Sequence, residues 1–66
     1  SPINEVSFNV NSIEQIQKIS KFLNKNGKTQ VKFNLSTKDQ IFNFQLKKTM
    51  NLDRKSLNLL RKQVNI

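Results

Sequence analysis

The segment "QVKFNLSTKDQIFNFQL", residues 30 to 46, interleaves phenylalanine with lysine and amide side chains. Aromatic rings that stack on bases, beside cations that meet phosphates, are what a protein uses to bind single-stranded nucleic acid. The same rings form a hydrophobic core if they face the interior. The chemistry of this segment therefore depends on which face of a sheet carries the phenylalanines.

The four carboxylates are the remaining candidates for acid–base chemistry, because the chain has no His and no Cys. Without an imidazole or a thiolate the usual catalytic triads cannot form, and disulfides and most transition-metal sites are excluded too. Glu5, Glu14, Asp39 and Asp53 are not predicted to pair into a catalytic dyad or a two-metal site. We expect no catalytic residue, cofactor or metal here, and no enzyme activity in this chain.

The charge of the chain narrows the class of partner. Twelve Lys and Arg against four Asp and Glu give +8, a balance typical of proteins that meet phosphate backbones, anionic membranes or acidic proteins. The abundance of Asn and Lys is also what AT-rich codons encode, so part of this charge can reflect composition alone. No apolar run approaches the ~20 residues that cross a bilayer, and the first four residues, Ser-Pro-Ile-Asn, do not resemble the basic and apolar start of a signal peptide. These features favour a cytoplasmic protein.

Alternating apolar and polar residues predict a first strand at 5–10, with every second side chain facing inward. A helix should follow, with Asn11 as its cap and Glu14 completing a capping box. The single glycine of the chain, Gly27, is predicted to end this helix in the left-handed conformation. The apolar face of the helix consists of Ile13, Ile16, Ile19, Phe22 and Leu23.

A hairpin is predicted next, because the segments 31–35 and 42–46 each alternate with a period of two. A four-residue loop at 37–40 would set Phe33 opposite Phe44 and Leu35 opposite Phe42. In this register the phenylalanines share the apolar face, and the other face carries Glu5, Ser7, Asn9, Lys32, Asn34, Asn43, Gln45 and Lys47, with Ile41 as its sizeable apolar member. The pattern favours a core over a stacking platform, so an Asp at position 33 or 44 should abolish folding.

A second helix is predicted to begin at Asp53, its cap, with Leu52 packing on Leu57. Residues 64–66 alternate once more and predict a short last strand. The order β-α-β-β-α-β predicts an α+β two-layer sandwich, in which two helices cover one face of a mostly antiparallel four-stranded sheet. We expect one small domain over residues 1–66, cut from the C-terminus of a longer chain.

This order resembles the C-terminal domain of the alpha subunit of bacterial DNA polymerase III. The resemblance covers almost the whole chain, through "SIEQIQKISKFLNKNGKTQVKFNL" and "FQLKKTMNLDRKSLNLLRKQVNI", with "NGKTQVKFNL" the most specific piece. It implies a non-catalytic domain that attaches a replicative polymerase to the tau subunit of the clamp loader, with the nucleotidyltransferase chemistry elsewhere in the parent chain.

If this resemblance holds, we expect tau to bind the half of the domain that follows the hairpin, where apolar contacts are assisted by a basic rim. The candidate partner-binding residues are Lys47, Lys48, Met50, Arg54, Lys55, Leu59, Arg61 and Lys62. The chain itself should be monomeric.

Two other interpretations remain open. The first is a small basic domain that contacts nucleic-acid phosphates without sequence preference, through Lys32 and the lysines and arginines of the same set. The second is that the charge only keeps a small domain in solution.

Overall fold

The protein folds into a mixed sheet of four strands with two helices, seen in a computed structural model that describes residues 2–65. The elements are β1 (Glu5–Val10), α1 (Ile13–Lys21), β2 (Asn24–Ser36), β3 (Ile41–Gln45), β4 (Met50–Asn51) and α2 (Arg54–Val64). The predicted α+β class, the number of strands and the two helices are confirmed. No helix within residues 2–65 has both the length and the apolar character that crossing a membrane requires.

The central strand is β2, and every other strand pairs with it. β1 lies parallel to β2, as expected when a helix connects two neighbouring strands. β3 and β4 both run antiparallel to β2, β3 along its C-terminal half and β4 along its N-terminal half. Two of the three pairings are thus antiparallel, as the sequence predicted.

The register of the predicted hairpin is confirmed. Phe33 lies opposite Phe44 and Leu35 opposite Phe42. The four-residue loop is confirmed as well, since the Thr37 N–H donates to the Gln40 carbonyl oxygen at 2.8 Å. The register follows from the alternation, because a slip of one residue would move every phenylalanine to the other face.

The hydrophobic core lies between the sheet and the helices. It contains Val6, Phe8, Val10, Ile19, Val31, Phe33, Leu35, Met50, Leu52, Leu57, Leu60 and Val64. Of the predicted apolar face of α1, Ile19 is fully buried, whereas Ile16 and Leu23 are partly buried against this core. Ile13 and Phe22 were predicted to face inward and are exposed, because they lie at the two ends of a nine-residue helix, beyond the part that contacts the sheet.

The helix caps differ from the prediction at one end. Ser12, not Asn11, caps α1: its Oγ accepts the Gln15 N–H at 3.1 Å. The Gln15 side chain in turn accepts the Asn11 N–H at 3.0 Å, so Gln15 takes the part predicted for Glu14. The cap of α2 is confirmed, since the Asp53 carboxylate accepts the Ser56 N–H at 2.7 Å.

Gly27 does not end α1, and this prediction is wrong. The helix ends at Lys21, and Gly27 lies inside β2 with no positive φ. It is required there by close packing of backbones: a Cβ at Gly27 would lie 2.2 Å from both the Asn51 Cα and the Met50 carbonyl oxygen. The positive φ of this segment, 69°, belongs to Asn26, a residue type that tolerates it.

The predicted last strand is also wrong within the described residues. α2 continues through Val64, which is buried, and Asn65 ends it with a φ of 59°. Leu57, Leu60 and Val64 follow the three-and-four spacing of one helix face, so burial of Val64 favours helix over strand. Ile66 lies outside the described residues. The fourth strand is instead β4, which precedes α2, so the observed order is β-α-β-β-β-α.

Candidate interaction surfaces

The open face of the sheet is polar, as predicted. The Lys32 ammonium lies 3.1 Å from the Glu5 carboxylate, and the Asn34 side-chain amide donates to the Asn9 side-chain oxygen at 2.9 Å. These contacts join β1 to β2 across the face. An open depression of about 340 Å³ lies beside them, lined by Lys32, Asn34, Asn43, Phe44 and Gln45. Because Phe8 and Phe33 are buried on the opposite face, this polar face is not an aromatic stacking platform.

The phenylalanines of β3 depart from the prediction. Phe42 and Phe44 lie on the apolar side of the sheet, yet they are 47% and 40% exposed. The cause is where the helices pack: α1 contacts β1 and α2, and no comparable packing joins either helix to β3 among the described residues. Phe44 still stacks on Phe33, with 5.5 Å between ring centroids. One edge of the core is therefore open to solvent at β3.

A second exposed apolar surface lies between the two helices. Leu59 is 56% exposed on α2, and Phe22, at the end of α1, is exposed beside it. Both line a depression of about 170 Å³, together with Ser56, Leu60 and Gln63. Lys55 and Lys62 stand four residues before and three residues after Leu59, so they flank it on the same side of α2. We call Phe22, Lys55, Leu59 and Lys62 the helix surface.

The structure separates the candidate partner-binding residues into groups. Lys47 and Lys48 lie between β3 and β4, where they line one depression with Lys25. Lys55, Leu59 and Lys62 belong to the helix surface. Arg61 instead faces β1, in a depression that it shares with Ser7, Phe8 and Asn9. Arg54 is exposed in the first turn of α2.

Met50 was expected to be an exposed contact for a partner, and this expectation is wrong. Its side chain is 9% exposed and belongs to the hydrophobic core. The reason is β4, which holds Met50 against β2, opposite Lys25 and Thr29. Leu59 has the exposure that was expected of it.

The electrostatics of the two helix ends are ordinary. The Ser56 N–H that donates to the Asp53 carboxylate holds the pKa of this carboxyl below its usual value. Basic residues occupy the last turn of each helix, where they complement the helix dipole. Among the described residues Glu5 is the carboxylate in an ion pair, with Lys32, so most of the basic side chains there have no acidic partner.

Sequence reasoning did not identify Phe22, Phe42 and Phe44 as exposed. For Phe22 the sequence carries no signal of exposure, because Ile19, Phe22 and Leu23 have the i, i+3, i+4 spacing of one apolar helix face. For the β3 pair the sequence carries no such signal.

Within residues 2–65 the structure holds no group of three or more acidic, His or Cys side chains able to bind a metal. No family model, curated protein or solved structure matches this chain.

Proposed function

We propose that this chain is a non-catalytic interaction domain that binds an acidic protein partner through the helix surface. The observation that carries the proposal is the exposed Leu59 beside the exposed Phe22, with a lysine on either side of Leu59. Phenylalanine is enriched in protein interfaces, an exposed leucine beside it enlarges the apolar contact, and a basic rim speeds encounter with an acidic surface.

The resemblance in the sequence supplies the identity of the partner in this proposal. The domain would be the C-terminal part of a replicative DNA polymerase alpha subunit, in a bacterial cytoplasm, and the partner would be the tau subunit of the clamp loader. The parent chain would be a DNA-directed DNA polymerase, and this domain would tether it within the replisome without taking part in nucleotide transfer.

The test is a titration of the ¹⁵N-labelled domain with the C-terminal part of tau, followed by NMR. We expect chemical-shift changes at residues 55–63 and at Phe22, and smaller changes around Arg54. Shifts that avoid the helix surface would show that tau binds elsewhere. The absence of any shift would refute the attachment function for this chain.

A matched pair of variants sharpens this experiment. Leu59→Ser should weaken binding by about tenfold, the factor that ~1.4 kcal/mol represents, because it removes the central apolar contact. Ile13→Ser is the control, since Ile13 is 58% exposed, much like Leu59, but lies at the opposite end of α1 from Phe22. Equal affinity for the two variants would exclude Leu59 as an anchor.

A second candidate function is contact with nucleic-acid phosphates, which one observation favours. Lys25, Lys47 and Lys48 line a single open depression, which brings three cations together. Lys32, by contrast, is paired with Glu5 and adds little. Binding through such a group would be weak and would fall steeply as salt rises, because it depends on counterion release.

A further inference from the structure

The strand β3 is an unprotected edge of the sheet. It lies at the end of the strand order, and all five of its residues are exposed. It contains no proline, no glycine and no charged residue, which are the features that usually prevent an edge from pairing with another chain. We propose that two copies of this chain pair through β3, antiparallel, about a twofold axis at Asn43.

The hydrogen bonds between β2 and β3 determine which peptide groups of β3 remain free to pair with a second copy. The Leu46 N–H donates to the Val31 carbonyl oxygen at 2.9 Å, and the Thr37 N–H donates to the Gln40 carbonyl oxygen at 2.8 Å. Hydrogen-bonded pairs recur at every second residue of an antiparallel ladder. Phe42 and Phe44 lie at two-residue steps between Gln40 and Leu46, so their peptide groups also face β2. Those of Ile41, Asn43 and Gln45 face outward, at the edge.

An axis at Asn43 uses all of these outward groups. Asn43 then pairs with Asn43 of the second copy, and Ile41 pairs with Gln45, each as a hydrogen-bonded pair. Phe42 of one copy falls opposite Phe44 of the other, in the non-hydrogen-bonded position where side chains approach most closely. Both rings are partly exposed in the single chain, and this pairing would bury the edges of the rings that meet across the contact.

The aromatic row of the sheet would continue across the axis. Within one chain Phe8 stacks on Phe33 at 5.7 Å, and Phe33 stacks on Phe44 at 5.5 Å. In the paired state Phe42 of the second copy extends this row, and behind it lies Leu35 of that copy. The sheets of the two copies would become one sheet with a continuous apolar face.

Charge is complementary near the ends of the proposed contact. With the axis at Asn43, Asp39 of one copy falls beside Lys47 of the other, and the twofold axis creates this pairing twice. Lys38 and Lys48 come together farther out, and each copy carries +8, so repulsion opposes association. One strand per copy also forms an interface below the ~1,200 Å² of stable complexes. The expected dimer is therefore weak and strengthened by salt, which differs from the monomer expected from the sequence.

A cysteine scan tests the register, because the natural chain has no Cys. In Asn43→Cys the two introduced residues would face each other as a hydrogen-bonded pair, about 5.5 Å between Cα atoms, within the ~4.4–6.8 Å range of disulfides. The control is Ser7→Cys, an exposed position on the other edge strand, β1. We expect the Asn43 variant to form disulfide-linked dimers at least tenfold faster. Equal rates would overturn the proposal.

Sedimentation equilibrium tests the association without a covalent bond. The parent chain should rise from its monomer mass of 7.7 kDa toward twice that value as protein or salt concentration increases. Asn43→Lys should stay at the monomer mass, because it places two ammonium groups together at the axis, whereas Ser7→Lys adds the same charge at β1 and should behave like the parent. A parent that remains monomeric throughout, or an Asn43→Lys variant that still dimerises, would refute pairing through β3. The contact does not involve the helix surface, so its failure would leave the proposed function standing.

Discussion

Replacing Gly27 with alanine should strongly destabilise the domain, although alanine is the smallest possible addition. The new Cβ would lie 2.2 Å from the Asn51 Cα and from the Met50 carbonyl oxygen. Both atoms belong to backbone, so no side-chain rotation can relieve the contact. β4 would have to move away from β2, although β4 holds Met50 in the core.

The size of the effect follows from this distance. Real Cβ contacts begin at 3.0 Å, so β4 must shift by at least 3.0 minus 2.2, or 0.8 Å. Overpacking of a well-packed site costs about 1–3 kcal/mol, and a backbone neighbour favours the upper end of this range. At about 0.05–0.15 kcal/mol per residue, a chain of 66 residues has a total stability of about 3–10 kcal/mol. At the upper end of its range the cost would therefore remove about 30% of this stability or more.

Urea unfolding followed by circular dichroism measures this loss directly. Lys28→Ala is the control, because Lys28 is the exposed neighbour of Gly27 in β2 and its replacement should change stability by less than about 0.5 kcal/mol. If Gly27→Ala unfolds at the same urea concentration as the Lys28 variant, the close approach of β4 to β2 is wrong. The shift of β4 should also alter the NMR signals of Met50 and Asn51, which a simple loss of backbone flexibility would not do.

Three further outcomes follow from the structure. Phe33→Asp should unfold the domain and Phe44→Asp should not, because Phe33 is fully buried while Phe44 is partly exposed; circular dichroism of the two variants decides this, and two unfolded variants would mean that β3 is covered. The lowered pKa of Asp53 means that its ionised form stabilises the folded state above the ordinary Asp pKa, and that this stability is lost as pH falls through the lowered value. The urea midpoint of the parent should accordingly approach that of Asp53→Asn on acidification, and a constant difference would exclude the cap. Fluorescence anisotropy with single-stranded DNA should give a dissociation constant of roughly 10–100 μM or weaker, and tight binding at physiological salt would contradict this.

The sequence predicted the hairpin in detail because its information is local. Alternation excludes a slip of one residue, which would turn the phenylalanines to the other face, and the four-residue loop selects the register that the structure has. The same alternation could not predict that Phe42 and Phe44 are exposed. Alternation assigns a residue to a face, whereas its burial depends on whether a helix covers that part of the face, and here α1 packs on β1 while α2 packs on α1.

The errors at Gly27 and at the last strand have one physical origin. Glycine is favoured both at helix ends and where two backbones approach closely, and the sequence alone does not distinguish these cases. The residue that decides between them lies in β4, a strand of two residues that carries no periodic pattern. In the same way, the segment around Val64 fits a short strand by local alternation, and only the core formed with Leu57 and Leu60 shows that it continues the helix.

The two proposed contacts should respond to salt in opposite directions, which allows one experiment to separate them. The helix surface has lysines on either side of Leu59, so binding to an acidic partner should weaken as salt screens the attraction, mainly through a slower on-rate. The strand β3 carries no charge, so pairing of two copies gains from the screening of their net repulsion. NMR of the labelled domain across a salt series should therefore show β3 signals moving toward the dimer as salt rises. The Leu59 region should respond to tau most strongly at low salt. If both regions changed in the same direction, one contact would have to account for both, and the assignment of separate surfaces would fail.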